Sequence, residues 1–219
     1  QKVNDTALAT QPASQYALVA DGTAGLVGVT GLTLTGSLAA RVNRMGTTID
    51  KTVNVQGTPV LVKFDSPSDV TQFSGNVDLA ISSFVTVSGA FAFERTTETV
   101  GTKTTTQITA AAAGINIFLG ANAGTANATG VSITDAKLGL VLQKVNDTAL
   151  ATQPTSQYAL VADGTAGLAG VTGLTLTGSL AARVNRMGTT IDKTIDVQGT
   201  PVQVKFDSPT DVTQFFRQR

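Results

Sequence analysis

Residues Gln1 to Phe73 recur as Gln143 to Phe215, displaced by 142 positions and changed at only six: Ala13/Thr155, Val27/Ala169, Val53/Ile195, Asn54/Asp196, Leu61/Gln203 and Ser68/Thr210. Stretches this alike adopt the same local structure, so the fold must accommodate a second copy of whatever the first block becomes. The chain reads as one full repeat over 1–142 and the first half of the next over 143–219, both part of a longer array. It begins with Gln rather than Met, which fits a window cut from such an array.

A looser period lies inside the long one. Leu32–Arg41 (LTLTGSLAAR) aligns with Val85–Glu94 (VTVSGAFAFE), and Val131–Leu142 is a third copy whose alternation changes parity near Thr134 and Asp135, as a β-bulge would make it. Successive spacings from Gly36 to Gly89, Asp135 and Gly178 are 53, 46 and 43 residues. Within the best copy, Leu32, Leu34, Leu38, Ala40 and Val42 alternate with Thr33, Thr35, Ser37, Ala39 and Arg41, the period of a strand with one apolar face. Gly36 and Gly89 fall on the apolar parity, where a missing side chain permits close backbone approach.

Shorter runs precede each long strand: Ala24–Val29 or Val77–Ser82 with corners at Thr30-Gly31 or Ser83-Phe84, and Tyr16–Ala20 or Ile115–Leu119 with corners at Asp21-Gly22 or Gly120-Ala121. Three strands per short period predict an all-β chain folded as a parallel β-solenoid, with coils of about 43–53 residues and hairpin inserts. Tandem antiparallel β-sandwich domains are the alternative, because periodicity does not distinguish parallel from antiparallel pairing. The inserts are read at Val53–Val55 with Val60–Phe64 around Gln56-Gly57-Thr58-Pro59, and at Phe91–Thr99 with Thr102–Ala110 around Gly101. Ser66–Phe73 predicts a short helical turn at most.

The same residues narrow the function. With 15 basic and 15 acidic side chains the formal net charge is zero, and no basic cluster offers the electrostatic footprint of a nucleic-acid binder. No apolar run reaches the length of a membrane-spanning helix. The chain has no Cys and no His, which removes disulfides, thiolate metal sites and the commonest general base. There is no Gly-x-Ser-x-Gly elbow, and Glu94 and Glu98 are the only glutamates, so the chain is not read as an enzyme. No cofactor is expected. Asp21, Asp135, Asp147 and Asp163 sit at expected corners and raise the question of calcium, but no calcium-loop spacing surrounds them. Arg41, Arg44, Arg183 and Arg186 are placed at solvated strand ends, pairing with Asp50 or Glu94 of neighbouring coils.

If equivalent strands stacked in register, Thr33, Thr35, Thr86, Ser88, Ser132, Thr134, Thr175 and Thr177 would form a two-wide hydroxyl ladder, a surface suited to ice or glycan. The simpler reading is that Thr favours the wet face of a strand. A polysaccharide-active β-helix using paired carboxylates is a further alternative.

The stretch YALVADGTAGLVGVTGLTLTGSLAARVN, followed after a hairpin by DVTQFSGNVDLAISSFVTVSGAFAFE, resembles the tandem-repeat regions of giant bacterial cell-surface proteins of the adhesin or haemagglutinin-like kind. The resemblance implies an extracellular, β-rich fibre or adhesin shaft at the cell surface. Its expected partners are other copies of the repeat, neighbouring chains of a fibre, or surface glycans, and it brings no catalytic residues.

Overall fold

The computed structural model describes residues 15–152, 156–175 and 177–218. The start of the first repeat at residue 1 and the Ala13/Thr155 difference lie outside them. Every regular element among the described residues is a β-strand. Nine strands form one sheet: β1 (Ala17–Gly25), β2 (Leu32–Asn43), β5 (Asp69–Ile81), β6 (Val85–Val100), β7 (Lys103–Ala121), β8 (Thr129–Asp147), β9 (Gln157–Ala169), β10 (Thr177–Asn185) and β13 (Val212–Gln218), in that order across it. Each adjacent pair is antiparallel. The remaining four strands make two hairpins, β3 (Ile49–Val55) with β4 (Thr58–Phe64) and β11 (Ile191–Val197) with β12 (Thr200–Phe206).

The all-β expectation holds, but the parallel solenoid does not: the sheet is an open antiparallel meander. The reason lies in what the short period counts. The mutually similar strands β2, β6, β8 and β10 occupy every second place in the sheet, and a strand of opposite direction separates each from the next. Alternation has a period of two whichever way a strand runs, so the same pattern serves both directions. Of the expected corners, Thr30-Gly31 and Ser83-Phe84 do reverse the chain, between β1 and β2 and between β5 and β6. Asp21-Gly22, Asp163-Gly164 and Gly120-Ala121 instead lie within β1, β9 and β7. The short runs Tyr16–Ala20, Val77–Ser82 and Ile115–Leu119, read as separate sides of a coil, thus fall largely within the longer strands β1, β5 and β7, while Ala24–Val29 leaves β1 after Gly25 and runs on as the loop to β2. Ser66–Phe73 forms a bend running into β5 and no helical turn.

Several local expectations match. The parity change in the third copy is a register shift between Thr134 and Lys137, with Asp135 at φ 50° and its N–H donating to Asn116 Oδ1 at 3.2 Å. Gln56-Gly57 closes the first hairpin with both residues at positive φ, the type I′ geometry that matches strand twist. Gly101, at φ 60°, closes β6 onto β7 as expected, but Phe91–Thr99 and Thr102–Ala110 are not an insert: both belong to long strands of the main sheet. At Gly36 the backbones of β2 and β5 approach so closely that an added Cβ would lie 2.2 Å from the Asn76 carbonyl oxygen.

The second repeat continues the first one's sheet. Strands β9, β10 and β13 repeat β1, β2 and β5, and β9 pairs directly with β8, matching Leu140 with Leu160. The core forms where the β11–β12 hairpin lies back across the sheet. Ile195, Val197, Val202, Val204, Phe206 and Met187 pack there on Ala111, Ala113, Val141 and Ala159. Small floor residues let the hairpin approach: a Cβ on Gly139 would lie 2.6 Å from a Val204 methyl.

Candidate functional site

The hairpins are held to the sheet by side chains that recur at the repeat spacing. Asn43, fully buried at the end of β2, donates from Nδ2 to the carbonyls of Thr47 and Ser66, both at 3.1 Å, and accepts from the Met45 N–H at 3.0 Å. Asn185 does the same with Thr189, Ser208 and Met187 at 3.3, 3.1 and 3.0 Å. One amide thereby ties the outgoing and returning legs of each excursion together, and satisfies backbone groups that burial would otherwise leave unpaired.

Arginines complete the attachment. Arg41 lies 5.0 Å from the Phe64 ring centroid and donates to the Lys63 carbonyl, while Arg183 lies 4.8 Å from Phe206 and donates to the Lys205 carbonyl. Arg44 pairs with Asp69 at 3.0 Å, and Arg186 with Asp211. The Asp211 carboxylate hydrogen-bonds the Arg186 guanidinium and raises its pKa further. The sequence assignment of these arginines to Asp50 or Glu94 is therefore replaced: Arg41 and Arg183 fasten each hairpin to its own sheet, while Arg44 and Arg186 tie together the two sheet strands that flank it. Strand alternation puts Asn43 on the wet face of the long strand with Thr33, Thr35, Ser37, Ala39 and Arg41; the structure instead buries it, and Asn185 with it, because the hairpin folds over that end of the face. Their recurrence at the 142-residue offset was the available signal.

The hydroxyl residues are distributed as the meander dictates. Thr33 pairs with Ala80, Ala80 with Thr86, Thr86 with Phe118, Phe118 with Ser132, Ser132 with Gly167 and Gly167 with Thr177. Thr33, Thr86, Ser132 and Thr177 thus share one row but occupy alternate strands, about 10 Å apart at ordinary strand spacing. Thr35 and Ser88 share a second row with Asp78 between them and Asn116 beyond. Thr134 faces Thr165, and Thr175 lies in the loop before β10.

Three concave surfaces stand out. On the hairpin side, a polar cleft of about 390 Å³ runs between the sheet and β11, lined by Arg41, Gln72, Glu94, Thr109, Lys193 and Asp196. Gln72 Nε2 donates to Glu94 Oε2 at its floor. A second hollow, beside the first hairpin, adds Asp65, Glu98, Ser66 and Ser68 around the same Arg41 and Glu94. On the other side lies an apolar groove of about 620 Å³ lined by Ala112, Ile115, Leu138, Ala162, Leu180 and Phe215. That side is the wide apolar face of the sheet, where Leu38, Phe73, Leu138, Leu180 and Phe215 are all solvent-exposed.

Among the described residues, no three His, Cys, Asp or Glu side chains are grouped closely enough to hold a metal ion. Asp21 and Asp163 lie within strands, Asp135 in the bulge, and Asp147 at the end of β8. No described helix is long and apolar enough to cross a membrane. Compared with known proteins, the chain matches no family model, no curated sequence and no solved structure.

Proposed function

We propose that this chain is a structural and adhesive section of an extracellular tandem-repeat fibre at a cell surface, lengthened by adding repeats to one sheet. The observation that carries the reading is the β8–β9 pairing: the second copy's strands join the first copy's sheet in chain order, with no linker-separated domain between them. One repeat contributes β1, β2, β5, β6, β7 and β8, so six strands per period extend the sheet by about 29 Å at ordinary interstrand spacing. Strand twist coils such a ribbon rather than leaving it flat. The exposed apolar face offers a surface on which neighbouring ribbons of a fibre associate.

Arrays of two, four and eight repeats imaged by electron microscopy test this. The account expects unbroken rods or coiled ribbons that lengthen by about 29 Å per repeat along the coiled path. Globules of constant size joined by variable gaps would refute it.

A second reading, glycan contact, is favoured by the polar cleft, whose Arg41, Gln72, Glu94, Lys193 and Asp196 offer the mixed donors and acceptors that sugar hydroxyls require. Binding on a glycan array that is lost on Glu94→Ala would support it, and an array with no signal would remove it.

A further inference from the structure

We infer that the apolar face of the first hairpin, β3–β4, is a docking face for a further copy of strands β6–β8, hydrogen-bonded to the open edge of β1. This deepens the tandem-array reading and rests on it. The argument is an internal comparison. The two hairpins differ at three positions only, Val53/Ile195, Asn54/Asp196 and Leu61/Gln203, and share the same attachment at the root, yet what lies beneath their outer halves differs. In the second hairpin Ile195 and Val197 are 8% and 0% exposed, whereas their counterparts Val53 and Val55 are 49% and 53% exposed.

The cause is the sheet beneath. Hairpin β11–β12 reaches back over β9 onto β8, β7 and β6, where Ala90, Ala92, Ala111, Ala113 and Val141 receive it. Hairpin β3–β4 leaves β2 in the same way, but beyond its root on β2 the strand it packs against is β1, which is the edge of the sheet among the described residues. Its root is already packed, with Phe64 buried and Arg41 stacked on it, so the excursion is held in place with its tip uncovered. β1 itself carries the sequence of β9 up to the single change Val27/Ala169, and β9 is paired on both sides, by β8 and β10.

An open β1 edge and an uncovered hairpin face are therefore two parts of one site, whose filled form appears in the same molecule. The occupant's chemistry follows from that form: a strand matching β8 to pair with β1, setting Leu140 of the copy opposite Leu18, and a floor of alanine and glycine beneath the valines. The chain's own β6–β8 do not serve, because β11–β12 already covers them.

The test uses hydrogen exchange on the chain as it stands and on one carrying an added copy of residues 74–142 ahead of Gln1. That junction repeats the Leu142-Gln143 bond already present. In the original chain, amides of 49–64 should exchange at least about tenfold faster than those of 191–206, and adding the block should bring the two to within about threefold. Gly139→Leu placed in the added block alone should abolish the gain on 49–64 and leave 191–206 unchanged, since any Cβ there strikes the hairpin valines.

Equal protection of the two hairpins in the original chain, no gain from the added block, a gain that survives Gly139→Leu, or an extended chain that fails to fold would each overturn the inference. Small-angle scattering on the same samples separates it from the fibre reading. A longer particle with an unprotected 49–64 defeats the docking but keeps the array. A protected 49–64 in a particle that does not lengthen keeps the docking and defeats the fibre.

Discussion

The two copies of one hairpin permit an experiment in which sequence is held nearly constant and burial alone varies. Val197→Ala removes two methyl groups from a side chain that is 0% exposed, while Val55→Ala removes the same groups from one that is 53% exposed. Lost transfer energy for two buried carbons is about 1.6 kcal/mol. The cavity left between β11 and a sheet floor that cannot collapse adds about 1 kcal/mol. Both variants also lose the strand preference of Val over Ala, up to about 1 kcal/mol in either place. Val55 is still about half buried and forfeits roughly half of that transfer energy, so Val197→Ala should destabilise the chain by about 2 kcal/mol beyond what Val55→Ala does. Equilibrium urea denaturation followed by far-ultraviolet circular dichroism measures both, with equal slopes required for the comparison. Losses that agree within about 0.5 kcal/mol would refute the reasoning, because that figure is ordinary for surface substitutions.

Three further outcomes are expected. Asn185→Ala strands two carbonyls and one N–H in a buried corner and should lower stability by about 3 kcal/mol in urea denaturation, with Asn185→Asp intermediate because it keeps the bond from Met187. Gly36→Ala should destabilise the chain by at least about 2 kcal/mol, because its Cβ would sit on the Asn76 carbonyl, whereas Gly22→Ala, with open space around it, should be close to neutral in the same assay. The Ala149 N–H, and after it the Thr102 side chain, hold the Asp147 carboxyl below the usual carboxylate range. Its pKa is depressed in the folded state, so the contribution to the turn after β8 is complete above the ordinary carboxylate pKa and is lost as pH falls through the folded value. An amide titration of Ala149 by NMR should show a midpoint below that of Asp in a short peptide, and a midpoint at or above it would contradict the assignment.

Strand content and position were readable because alternation is local: the expected long strand from Leu32 onward is β2, and the hairpin about Gln56-Gly57 forms where its turn residues place it. Direction was not readable, because side-chain parity carries no sign. The similarity of β2, β6 and β8 was real, yet it marked strands two places apart rather than neighbours. Asp21-Gly22 looks like a turn in isolation, but β1 runs straight through it because β2 supplies a hydrogen-bonding partner along the whole stretch. The same long-range pairing dispersed the expected hydroxyl ladder by placing Ala80, Phe118 and Gly167 between its members. The run Ala110–Ala113 is half apolar face and half hairpin floor, a division visible only once β11–β12 is seen lying on Ala111 and Ala113.

The central claim is that one sheet passes from the first repeat into the second without a break, and disulfide trapping across that boundary tests it most directly. Leu140 on β8 and Leu160 on β9 are directly opposed, and the chain contains no native cysteine to confuse the result. Opposed antiparallel residues have Cα atoms about 4.5–5.5 Å apart, within the reach of a disulfide. The account predicts that Leu140→Cys with Leu160→Cys closes an intramolecular bridge under mild oxidation, while the offset pair Leu138→Cys with Leu160→Cys does not. Absence of the first bridge in the folded monomer, or equal yields from both pairs, would contradict a continuous antiparallel sheet.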